Sequence, residues 1–223
     1  MADLLVRLSM EPHLPAVNTA DVEAAMTPGW SFWHAGRSHF EEPDMPVDMA
    51  HSASPAIRKE RIQLVDAANR PCGSAERAMM RRFHFWHRAT YVFVLNARQE
   101  LCIQVRTMSK EVFPGHYDLA TGGVVGAGEP VHVAAQRELA EELGVEGVRL
   151  RPCFDFRFAE QGNHIFGSVF LARYDGPLRL QPEEVADALW MPIADALRLE
   201  RATPDSRLAL QLMLERGLLS QET

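Results

Sequence analysis

From Arg61 onward, apolar residues fall in short runs separated by turn residues, the pattern of strands bounded by loops. RIQLVD predicts a strand, followed by a turn at Asn69-Arg70-Pro71 and a short polar helical stretch. RATYVFVLN and ELCIQVR, rich in β-branched residues, predict a hairpin across NARQE. A long loop, TMSKEVFPGHYDLATGG, leads towards an acidic helix. GVRLRPCFDFRF and HIFGSVFLARY predict two more strands, joined by AEQGNH. From Pro192 the pattern turns helical, in PIADALRLE and then PDSRLALQLMLERG. Mixed sheet packed by a few helices, an α/β fold, is the class this predicts.

The acidic helix changes the picture most. Pro130 suits a first helical turn and Gly144 suits the position just past a helix end, so the pattern predicts a helix between them. Leu139 and Leu143 share one side, and Glu138, Glu141 and Glu142 share roughly the opposite one. Like charges at that spacing repel, and a solvated acidic face is their plain meaning. Against it stand the narrowness of the face, the glycine-rich approach GGVVGAGEP and a fourth acid, Glu129. Clustered carboxylates with nearby carbonyls suit Mg²⁺ or Mn²⁺, whose charge lets several acids stay ionised together. Arg137, four residues before Glu141, can brace that carboxylate.

Composition narrows the classes. The 223 residues are 47% hydrophobic and 24% charged, which suits one globular domain with an appendage. A net charge of −7 argues against a general nucleic-acid binder or an anionic-membrane binder. Cys72, Cys102 and Cys153 are scattered and odd in number, which predicts reduced thiols in a cytoplasmic protein. No apolar run reaches membrane-span length, and MADLLVRLSMEP has no basic n-region or long apolar core, so the expected partners include no membrane.

Residues 1–58 read differently. They hold six of the 14 prolines, Trp30 and Trp33, and eight acidic against three basic residues. NTADVEAAM predicts a short capped helix, and the WSFWH cluster suggests docking. An accessory arm covering the main domain or a dimer partner is the plain reading of this extension.

The segment GVVGAGEPVHVAAQRELAEELGV, residues 123–145, resembles the signature box of the Nudix hydrolases without a mismatch. It carries Gly123, Glu129, Arg137, Glu138, Leu139, Glu141, Glu142, Gly144 and Val145 at the required spacings. The resemblance covers about residues 59–219. It implies an α/β/α sandwich with a central mixed sheet, and divalent-metal hydrolysis of a nucleoside diphosphate linked to another group. It implies Glu138, Glu141 and Glu142 as metal ligands, one of them also orienting or deprotonating water. Glu129 would support the metal site, Arg137 would orient a box glutamate, and the Gly122 carbonyl could complete the coordination. Glu160, Glu183 and Glu184 are candidates for a base on a later loop. Many relatives are dimers, so a homodimer is possible.

HRATYVFVLN and RTMSKEVFPGHYD are similar to the isopentenyl diphosphate isomerases, which share the fold. In that likeness Arg106 and Lys110 hold the substrate diphosphate; a plain surface pair is the other reading. The isomerase chemistry does not carry over: its cysteine aligns near Gly122, and its acidic pair aligns with Asn163 and Ile165. A non-catalytic Nudix-fold binding or regulatory protein is the alternative from a different class. His84 and His87 read as structural or surface residues. Cys153–Phe158 reads first as core, with that strand pair and Tyr117 as places to seek a substrate contact.

Overall fold

The computed structural model describes residues 60–220. The extension 1–58, with its expected helix and tryptophan cluster, lies outside the described residues. Eight strands form one mixed sheet: β1 (Arg61–Val65), β2 (Pro71–Glu76), β3 (His87–Leu95), β4 (Leu101–Arg106), β5 (Tyr117–Asp118), β6 (Arg151–Glu160), β7 (Asn163–Arg173) and β8 (Val185–Met191). The helices are α1 (Arg77–Arg82), α2 (Val131–Leu143), α3 (Ile193–Ala196) and α4 (Pro204–Glu215).

β3 organises the molecule. Its side chains alternate between two cores, as a strand buried on both faces requires. Tyr91, Phe93 and Leu95 face a cluster completed by Leu210 and Met213 of α4 and by Phe156 and Phe158. Val92 and Val94 face a second cluster with Ala135, Leu139 and Leu143 of α2. Helices therefore cover both faces, and the fold is the expected α/β/α sandwich. The phenylalanines of β6 are core, not a stacking platform.

One edge of β3 pairs in parallel with β7 from His87↔Ile165 to Leu95↔Arg173. Along the other edge β3 and β4 meet only at Leu95↔Leu101, and β4 turns away to pair with β8. The loop before α2 fills the opening, bridging Val92↔Thr121 and Ala89↔Val124. That split gives the sheet a cleft next to the acidic helix.

Two details differ from expectation. Pro130 is the N-cap of α2 and not its first helical residue, with φ −66° and ψ 136°. β2, β5 and β8 are additional strands. Gly144 ends α2 in the left-handed region, φ 66°, as its position promised. Among the described residues no helix is long and apolar enough to cross a membrane.

Candidate active site

A cavity of about 510 Å³ opens at the split in the sheet. Its acidic wall comes from α2 and the preceding loop: Gly122, Gly123, Glu129, Arg137, Glu138, Glu141 and Glu142 all line it. The loop is held by backbone bonds on both sides. Thr90 N–H donates to the Gly123 carbonyl (2.9 Å), and Ala127 N–H donates to the Arg61 carbonyl (2.9 Å). A Cβ on Gly123 would lie 2.5 Å from Glu138 Oε1, so glycine is what leaves room for that carboxylate.

The three box glutamates do not form a solvated face. Glu138 and Glu142 are buried, on the side of α2 turned to the sheet, while Glu141 is exposed. Arg137 gathers the acids. Its Nε and Nη2 donate to the two oxygens of Glu129 (2.9 and 3.1 Å), and Nη1 donates to Glu138 Oε1 (2.9 Å) and Glu141 Oε2 (3.0 Å). Gly126 N–H also donates to Glu129 Oε2, at 2.9 Å. Glu129, expected among the metal residues, thus has both oxygens engaged and acts here as a brace between loop and helix.

Burial sets the protonation of this wall. Removal from water, reinforced by the neighbouring Glu138, pushes the Glu142 carboxyl up to about 8, against a hydrogen bond from Gln104. Glu138 is also raised by burial, with Arg137 pulling the other way. Gln104 Nε2 lies 3.0 Å from both Glu142 Oε2 and Thr121 Oγ1. Among the described residues no three His, Cys, Asp or Glu side chains already converge as a ligand set. Arg137 occupies oxygens that a cation would need. The donor chemistry nonetheless fits a hard divalent ion: two buried, under-compensated carboxylates, an exposed third, and the Gly122 carbonyl, to which no backbone N–H among the described residues donates.

The other expected residues divide. Lys110 lines the cavity and pairs with Glu184, and its ammonium is pushed down by burial against the pull of Glu142. Arg106 also lines the cavity, but its donors are taken. Nε and Nη2 hold the Val112 and Phe113 carbonyls, and Nη1 holds Asp118 Oδ2 at 2.5 Å. It organises the 107–116 loop where a free phosphate cation was expected. Tyr117 does not reach the cavity: it packs against the α4-side core, and the alternation of β5 turns Asp118 inward in its place. Of the later-loop acids only Glu184 lines the cavity; Glu160 and Glu183 are exposed elsewhere. His84 Nδ1 lies 2.7 Å from the Gly162 carbonyl. His87, buried, is pushed down to about 4 by its burial, which keeps it neutral. His87 lines the cavity and His84 does not.

Several residues that line the cavity or support its wall escaped sequence reasoning. Gln104 was signalled by a lone polar residue inside the apolar run LCIQVR. Arg77 and Arg81 offered only their four-residue spacing. Tyr91, whose hydroxyl donates to Asp205 Oδ2 at 2.7 Å, joins residues 114 apart in sequence and gave no local signal.

Comparison with known proteins agrees with this geometry. A family model described as the NUDIX domain matches residues 85–213. A protein described as an uncharacterized Nudix hydrolase of Pseudomonas aeruginosa is 46% identical over 172 residues, covering 75% of this chain and 99% of the relative. YfcD of Escherichia coli, described in the same terms, is 35% identical over 159 residues, 71% of this chain and 88% of its own. The crystal structure of DR0079 from Deinococcus radiodurans superposes with a TM-score of 0.60 at 28% identity, covering 68% of this chain and 98% of that one. A MutT protein from Methanosarcina mazei shares the fold at a TM-score of 0.53 and 18% identity, over 59% of this chain and 95% of its own. With a complete box whose acids line one cavity, the chain belongs to the Nudix hydrolase family.

Proposed function

We propose that this protein hydrolyses a diphosphate bond in a nucleoside diphosphate linked to another group, with Mg²⁺ or Mn²⁺ as cofactor and water attacking phosphorus. The observation that carries the reading is the pair Glu138 and Glu142, buried together at the cavity wall beside an intact box. One shared guanidinium, one amide and the nearby Lys110 compensate them poorly, and a divalent cation is the partner that matches both their charge and their oxygens. Glu138, Glu141 and Glu142 would hold it, with the Gly122 carbonyl as a further donor.

When bound, the cation neutralises diphosphate oxygens and makes a neighbouring water more acidic. The chain's own residues do the rest. Arg137 fixes Glu138 and Glu141, and through Glu129 ties them to the loop. Gln104 aims Glu142 by donating to Oε2. That Glu184 lines the cavity beside Lys110 supports a later-loop base there, which would take the proton of the attacking water. An isomerase role lacks its thiol: a glycine, Gly122, stands where it would be needed. We further assign residues 59–219 as the catalytic domain and 1–58 as an extension. The three free cysteines fit a reducing cytoplasm.

The test is a panel of nucleoside diphosphate-linked compounds with Mg²⁺ and Mn²⁺ in ¹⁸O-labelled water. The expected result is release of a monophosphate carrying label on phosphorus. Cleavage of no member, or label found only on carbon-bound oxygen, overturns the reading.

A further inference from the structure

Facing the acidic helix, the cavity has a basic wall that the box does not contain. Arg77 and Arg81 both line it, four residues apart and so on one face of α1. A diphosphate entering a cavity lined by six glutamates needs cations, and the other arginines that line it are committed. Arg137 is held by three carboxylates, and Arg106 by two carbonyls and Asp118.

Arg77 and Arg81 are held differently, each, among the described residues, by one carboxylate that is itself open to water. Arg77 Nη2 donates to Glu60 Oε1 at 2.7 Å, and Arg81 donates to Glu111; the two glutamate side chains are 46% and 71% exposed. Partners of that kind hold weakly. Arg77 is moreover under-satisfied: its Nε is buried without a hydrogen-bond partner, the only such side-chain atom among the described residues. A phosphate that took the Nε–Nη2 edge in place of Glu60 would engage both donors in the planar two-point geometry that guanidinium offers. Arg77 also lies near enough to the opposite wall to favour ionised Glu138 and to disfavour charged Lys110. The basic and acidic walls therefore face one space.

We propose that Arg77 and Arg81 form a phosphate clamp, binding the substrate's phosphoryl oxygens in exchange for Glu60 and Glu111. The clamp rests on the hydrolase reading for the identity of its ligand. It assigns substrate recognition to a helix outside the signature box.

Titration of inorganic pyrophosphate into the full-length chain, with and without Mg²⁺, tests the clamp apart from catalysis. Arg77→Gln and Arg81→Gln should each raise Kd by about 10–100-fold, the range for a hydrogen bond to a charged group. Arg77→Lys, which keeps charge but loses the fork, should fall between. Glu60→Gln and Glu111→Gln remove only exposed competitors and should tighten binding severalfold. Kd values within about twofold of the parent in all of these variants, or no pyrophosphate binding by the parent at millimolar concentration, overturn the clamp. Hydrolysis is read separately. A chain that cleaves nothing yet binds pyrophosphate through Arg77 and Arg81 upholds the clamp and removes the hydrolase reading. A chain that cleaves a diphosphate with KM unchanged in Arg77→Gln and Arg81→Gln removes the clamp alone.

Discussion

Replacing Glu142 by Gln should make the metal-free protein more stable. The Glu142 carboxyl is pushed from its ordinary 4.5 up to about 8 by burial beside Glu138. Between those values the unfolded chain has released this proton and the folded chain keeps it, so stability falls as pH rises. Below 4.5 both states are protonated and there is no cost. At about 1.4 kcal/mol per pH unit, the group costs the fold about 3 kcal/mol at pH 7. Glutamine is of similar shape, keeps an oxygen for Gln104 and carries no charge, so most of that cost should disappear. For a domain of this size, this is a rise in Tm of roughly 6–12 °C. The assay is thermal unfolding in EDTA at pH 5, 7 and 8. The gap between Glu142→Gln and the parent should be small at pH 5 and should widen towards pH 8. Adding Mg²⁺ should narrow it, because a ligand of the native state stabilises only the chain that binds it. A variant no more stable than the parent at pH 8 in EDTA refutes the reasoning, because the buried acid would then be adequately compensated without a cation.

Neighbouring glycines should fail in opposite ways. A Cβ on Gly122 would stand 2.0 Å from the Thr90 carbonyl oxygen, so Gly122→Ala must shift β3 or the loop and should lose several kcal/mol of stability by denaturant unfolding. At Gly123 the nearest atoms an added Cβ would meet are those of the Glu138 carboxylate, a side-chain end that can shift, so Gly123→Ala should lower kcat while changing Tm less than Gly122→Ala. Arg137→Lys cannot reproduce a fork shared among Glu129, Glu138 and Glu141, and should lower stability by about 1–3 kcal/mol and kcat more than 10-fold. Arg106→Ala frees the Val112 and Phe113 carbonyls and Asp118, and faster amide exchange across residues 107–116 should report it.

What could be read from the chain follows the range of the interactions. The helix α2, its ends and its acids were legible because caps and 3.6-residue spacing are local signals. The strands β3, β4, β6 and β7 were legible for the same reason. β8 was not: VADALWM is alanine-rich with an acid inside it, and it is a strand because β4 pairs along it. β2 contains Pro71 and Gly73 and exists through its register with β1. At the site, periodicity placed Glu138, Glu141 and Glu142 together but did not reveal that the first and last would be buried. Glu142 is covered from the sheet, where Gln104 lies 38 residues away in sequence, and Glu138 is covered by the loop at Gly123. The commitment of Arg106 was hidden differently, in the conformation of the loop that follows it, and the pairing of β5 with β4 sets Asp118, not Tyr117, at the cavity.

The central claim is that the box acids hold a divalent cation to cleave a diphosphate bond. It is tested most directly by monophosphate release from the best member of the substrate panel, comparing the parent chain with Glu141→Gln and Glu142→Gln, with Mg²⁺ and with EDTA. The account predicts release by the parent with Mg²⁺, none in EDTA, and a loss of at least about 100-fold in each variant while its fold is retained. Release that survives EDTA, or that is undiminished in Glu142→Gln, would contradict it.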